Sequence, residues 1–75
     1  MTTLDTLTSG SEALVVEIGG VPSFRRRLME MGFLPGTPVR MIRHMTVGGV
    51  LELEVRRSRV SLRRNEASQL IVSRP

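Results

Sequence analysis

Apolar and polar residues alternate most regularly over residues 50–56. Leu51, Leu53 and Val55 fall on one side there, and Glu52, Glu54 and Arg56 on the other. A period of two is that of a half-buried strand. Upstream, Glu12 to Ile18 reads as a first strand, with β-branched Val15, Val16 and Ile18. Its alternation is imperfect, which either a bulge or burial on both faces explains, and Gly19-Gly20 ends it. Residues 39–45 read as the second strand: Val39 and Met41 alternate with Arg40 until Ile42 breaks the pattern. Thr46-Val47-Gly48-Gly49 then forms a hairpin turn, with Gly48 and Gly49 supplying positive φ. After the 50–56 strand, Arg57-Ser58 turns the chain into a fourth, residues 59–63, with Val60 and Leu62 inward. Residues 65–68 read as a single helical turn capped by Asn65. Leu70-Ile71-Val72 is a short closing strand, and Ser73-Arg74-Pro75 a tail. Near the start, Leu4 and Leu7 sit in one turn closed by Gly10 and plug an end of the core.

The one helical pattern lies between the first two strands. Phe24, Leu28 and Met31 recur at i, i+4 and i+7, giving one apolar face to a helix over about 23–31. Ser23 is the expected cap, with Pro22 just before it. Gly32 follows the last periodic residue, where a left-handed backbone commonly ends a helix, and Phe33 then packs back toward Leu28. Leu34-Pro35-Gly36-Thr37 places Pro and Gly at the central positions of a type II turn. Pro38, lacking an N–H, suits the first residue of a strand. Gly32, Pro35 and Gly36 are therefore read as structural. Five short strands, tight turns and one inserted helix point to a mainly β protein, a small closed barrel that leaves no free strand edges.

Seventy-five residues allow one domain with a modest core. There is no Cys, hence no disulfide and no thiolate metal site. No signal peptide is expected from the first ten residues. The longest strongly apolar run, residues 13–16, is too short to span a bilayer. The expectation is a soluble, cytoplasmic protein. All eleven basic residues are arginine and the net charge is +4, which favours an acidic partner surface. An arginine-rich proteome accounts for this composition as well as a functional need does.

Catalytic chemistry is thin. His44 is the single histidine and more commonly such a residue packs than reacts. Glu52 and Glu54 share a strand face, suited to pairing with Arg40, Arg43 or Arg63, and only weakly to a cation. Met29, Met31, Met41 and Met45 are read as core filler or adaptable surface. No cofactor motif and no metal set is expected. Arg25, Arg26 and Arg27 lie near the helix face opposite the apolar stripe, as a solvated face or an anion-facing patch. Arg56, Arg57, Arg59, Arg63 and Arg64 suit a phosphate-binding stripe, the alternative reading of a nucleic-acid-binding domain. Two Phe and no Tyr or Trp offer no stacking platform, which argues against it.

In their order and spacing, the residues 26–43 (RRLMEMGFLPGTPVRMIR), the Gly48-Gly49 hairpin, Leu51 to Val55 and residues 60–72 (VSLRRNEASQLIV) resemble the FeoA family. These are the small cytosolic A proteins of bacterial ferrous-iron transport. The resemblance implies an SH3-like barrel with an inserted helix. It also implies a non-enzymatic accessory protein that binds the large membrane Fe(II) permease at its cytosolic G-protein-like GTPase domain. A domain of similar fold ends the iron- and manganese-dependent repressors. Binding residues are expected at the corner: Met29, Phe33 and Leu34, flanked by Arg26 and Arg27, if they are surface rather than core. No metal ligand follows from the resemblance.

Overall fold

In the computed structural model, which describes residues 1–74, the strand order follows from where apolar side chains must meet. Nine elements run along the chain: β1 (Thr2–Thr3), a 3-10 turn (Leu4–Thr6), β2 (Glu12–Ile18), α1 (Pro22–Glu30), β3 (Pro38–His44), β4 (Val50–Val55), β5 (Ser58–Arg63), α2 (Arg64–Ala67) and β6 (Leu70–Ser73). The strands form one antiparallel sheet in the order β1-β6-β2-β3-β4-β5. The inward residues of each strand fill its centre. Val15, Val39, Met41, Leu51, Leu53, Val55, Leu62 and Val72 are buried there with Leu28 and Phe33. Leu4 and Leu7 are buried in the same cluster, so the first ten residues do stopper the core. Among the described residues no polar or charged side chain is buried.

The mainly β, SH3-like architecture is as expected, with corrections that each have a physical cause. There are six strands and not five: Thr2 and Thr3 pair with Val72 and Ile71, a pairing too short to leave a period in the sequence. The ladder does not close completely, because β1 and β5 are its two edges. The seam is bridged by α2, which packs against the 3-10 turn, β4 and β5. Both irregular alternations are bulges, at Val16 in β2 and at Ile42 in β3. The turn expected at Arg57-Ser58 lies one residue earlier. Leu53 faces Val60 and Leu51 faces Leu62, so Val55 pairs with Ser58 and the turn residues are Arg56 and Arg57.

The helices begin differently from their expected caps. Val21 is the cap of α1 and Pro22 its first residue, where a missing N–H costs nothing; Ser23 lies inside the helix. Asn65 lies within α2, which starts at Arg64 after the cap residue Arg63. There Glu66 Oε1 accepts the Arg63 N–H at 2.9 Å, a reach-back that Asn65 does not make. Ser73 belongs to β6 rather than to a tail, and Pro75 lies outside the described residues. No helix of the described chain is long and apolar enough to cross a membrane.

Candidate partner-binding surface

The corner between α1 and β3 is built as the sequence specifies. Gly32 N–H donates to the Met29 carbonyl at 3.0 Å and Phe33 N–H to the Leu28 carbonyl at 3.0 Å, the two bonds of a Schellman cap. Gly32 adopts φ 109°. A Cβ there would also sit 3.2 Å from Arg56 Cδ, because the arginine's stem crosses the end of the helix. Thr37 N–H donates to the Leu34 carbonyl at 3.0 Å, and Gly36 adopts φ 86°, which closes the Pro35-Gly36 turn. The aliphatic stem of Arg56 thus packs over the C-terminal end of α1.

This geometry divides the five corner residues expected to bind. Phe33 is 0% exposed. It cannot meet a partner, because the Schellman cap folds it into the core beside Leu28. Arg27 is engaged, forming an ion pair with Glu66 and lying 5.5 Å from the centre of the Phe24 ring. Arg26 is exposed. Met29 is 43% exposed and Leu34 36% exposed, on either side of Gly32 in the chain. The surface available at the corner is therefore Arg26, Met29 and Leu34.

Charge on the outer face of the sheet is ordered by register. Glu12 stands opposite Arg40, Arg40 opposite Glu54, and Glu54 opposite Arg59 in the strand register, an alternating row across four strands. Beside it, Glu52 accepts from Arg43 Nε at 2.7 Å and is approached by Arg59 at 3.5 Å. The hydrogen bond from Arg43 holds the Glu52 carboxyl below the usual carboxylate range. Glu66 is also held below that range, first by the Arg63 N–H and then by Arg27.

His44 is occupied: Nε2 donates to the Leu7 carbonyl at 2.7 Å, and Nδ1 faces Arg64 Nη2 at 3.4 Å. It ties β3 to the N-terminal turn. The arginines of residues 56–64 do not form one free stripe, since Arg59 faces Glu52 and Arg64 faces His44. Arg56 and Arg57 are set apart from the others by their backbone. Both have positive φ, 51° and 67°, and neither has an ion pair or side-chain hydrogen bond among the described residues. The sequence expectation held Arg57 as a turn residue but not Arg56, although the requirement that Leu51 and Leu53 face Leu62 and Val60 was available.

The comparisons with known proteins agree with this fold. The chain is 30% identical over 69 residues to the Fe(2+) transport protein A/Fe(2+) transporter FeoB fusion protein of Porphyromonas gingivalis, which covers 92% of this chain and 8% of that relative. The chain thus spans under a tenth of the length of the relative it matches. Stenotrophomonas maltophilia FeoA, solved in complex with zinc and described as a prokaryotic SH3 domain protein, is 34% identical with a TM-score of 0.83, covering 97% of this chain and 91% of that one. The solution structure of Chlorobium tepidum FeoA gives a TM-score of 0.89 at 30% identity, covering 96% and 69%. The family model of the FeoA domain matches residues 2–74. With the corner, the bulged strands and the six-stranded sheet all in place, the chain belongs to the FeoA domain family.

Proposed function

We propose that this chain is a non-enzymatic accessory protein of ferrous-iron transport, acting by binding the cytosolic GTPase domain of the membrane Fe(II) permease. The observation that carries this reading is the Porphyromonas fusion, in which a relative of this domain shares one polypeptide with the FeoB transporter. Two components joined in one chain meet at high effective concentration, an arrangement that suits proteins working in contact. The site geometry supports binding rather than turnover. The single histidine uses both ring nitrogens to hold the fold, and the exposed corner offers half-exposed apolar side chains beside arginines, the make-up of a contact surface. Such a chain is cytoplasmic and meets the membrane through its partner. The test is a binding titration against the isolated cytosolic domain of the permease, with and without guanine nucleotide. Saturable binding in at least one state is expected; no binding in either overturns the proposal.

A further inference from the structure

An open groove runs along the start of β3, lined by Gly36, Thr37 and Pro38 on one side and by Arg56 and Arg57 on the other. Its volume of about 520 Å³ is enough to receive side chains of a partner segment. Of the charges that line it, Glu12 and Glu54 stand opposite Arg40 in the strand register, and Arg56 and Arg57 bring the sum to +1, three arginines against two glutamates. Arg56 and Arg57 stand outside that row, at the turn, with no ion pair among the described residues. They also occupy the least comfortable backbone for their type. A two-residue hairpin of this kind needs positive φ at both positions, which Asn-Gly supplies readily and a pair of arginines does not. Strain kept at an exposed turn points to use of the side chains that impose it. The Arg56 stem also packs over Gly32, whose N–H bonds the carbonyl of half-exposed Met29 and which lies two residues before half-exposed Leu34.

We infer that this groove receives an acidic, amphipathic segment of the protein partner. Its carboxylates pair with Arg56 and Arg57, and its apolar side chains cover Leu34 and Met29. Guanidinium forks suit carboxylates in bidentate geometry, and the adjacent apolar pair gives the segment an anchor that charge alone lacks. The inference rests on the accessory-protein reading and names its contact face.

The test uses the full chain with two probes: the permease's isolated cytosolic domain, and a synthetic peptide of alternating Glu and Leu. Calorimetry reads affinity for both, and amide chemical shifts map the peptide. The R56N/R57G variant is expected to bind both at least about tenfold more weakly, the loss of two charge-assisted contacts. The R56Q/R57Q variant, which removes charge without changing the backbone demand, is expected to do the same, so a shifted strand register cannot mimic the result. Val47→Ser, at the opposite hairpin, is expected to change neither. If the domain binds and both arginine variants bind it as well as the parent, the inference is overturned while the accessory role stands. If the domain does not bind but peptide shifts fall on residues 36–38 and 56–57, the accessory role fails and the groove stands. Peptide shifts elsewhere, no peptide binding, or tighter binding of poly-uridine RNA than of the peptide at Arg56 and Arg57 would each sink the groove assignment.

Discussion

The two hairpins of the β3-β4-β5 meander solve one backbone problem with opposite chemistry. The first turns through Gly48 and Gly49 at φ 81° and 61°; the second turns through Arg56 and Arg57 at φ 51° and 67°. Glycine enters the left-handed region without a Cβ clash, whereas a residue with a side chain is destabilised there by roughly 1–2 kcal/mol. The glycine hairpin carries exposed Val47 and half-exposed Met45 but no charge at its tip. Its β4-side end is fixed by the Arg64 N–H donating to the Gly49 carbonyl at 2.9 Å. The arginine hairpin is tied instead through the Arg56 stem to the cap of α1. The first turn is relaxed and carries little chemistry, while the second is strained and places two free cations beside an apolar corner. A turn's residues therefore report its job: where conformation alone mattered, glycine stands.

Transplanting the arginine turn is the sharpest way to break this comparison. The G48R/G49R variant should lose roughly 2–4 kcal/mol of stability, since both positions need positive φ and nothing nearby is arranged to use the charges. Urea unfolding measures it, and a loss under about 0.5 kcal/mol would show that the left-handed arginines are not strained here. Next in size, Gly32→Ala should cost about 1–3 kcal/mol, because the residue would be held at φ 109° with its Cβ against the Arg56 stem. Combining it with Arg56→Asn should recover a few tenths of a kcal/mol, a coupling read from a double-mutant cycle. The reverse sign is expected at the second hairpin. The R56N/R57G variant should be more stable than the parent by about 1 kcal/mol, seen as a Tm raised by several degrees in a domain of this size. An unchanged or lowered Tm would remove the argument from strain.

The smallest effect sharpens the comparison from the side of α2, which follows the strained hairpin's second strand. Glu66 accepts from the Arg63 N–H and pairs with Arg27. Its carboxyl is therefore lowered in the folded state. A lowered folded value means the stabilisation is complete above the ordinary glutamate range and is lost as pH falls through the folded value. Glu66→Gln should cost about 0.5–1 kcal/mol at pH 7. The gap to the parent should narrow at acid pH, checked by urea midpoints at pH 7 and pH 3. A gap that does not change with pH would mean that packing, not charge, is what Glu66 supplies.

Some of this protein was legible in its residues because the signals are local. Gly32, Phe33 and the Pro35-Gly36 pair specify a cap and a turn within six positions, and the structure builds both with the expected hydrogen bonds. The clean period of β4 and the broken ones of β2 and β3 marked three of the strands, while the pairing of distant strands made both breaks bulges. Other features needed partners distant in the chain. Thr2 and Thr3 are a strand only because β6 offers them an edge, and no two-residue segment declares that by itself. Phe33 lies within the stretch expected to bind, yet only the packed core decides that none of its surface reaches solvent.

By itself, the sequence determined the elements whose backbone is set by their own residues: the capped helix, the type II turn, the alternating strand and the glycine hairpin. Only the tertiary structure decided which charges remain free. Arg27, Arg43 and Arg59 find carboxylates on neighbouring elements, and Arg56 and Arg57 are left without one because strand register turns the chain beneath them. Conformational preference is a property of a few adjacent residues, whereas electrostatic neutralisation depends on distances of a few ångströms between residues tens of positions apart.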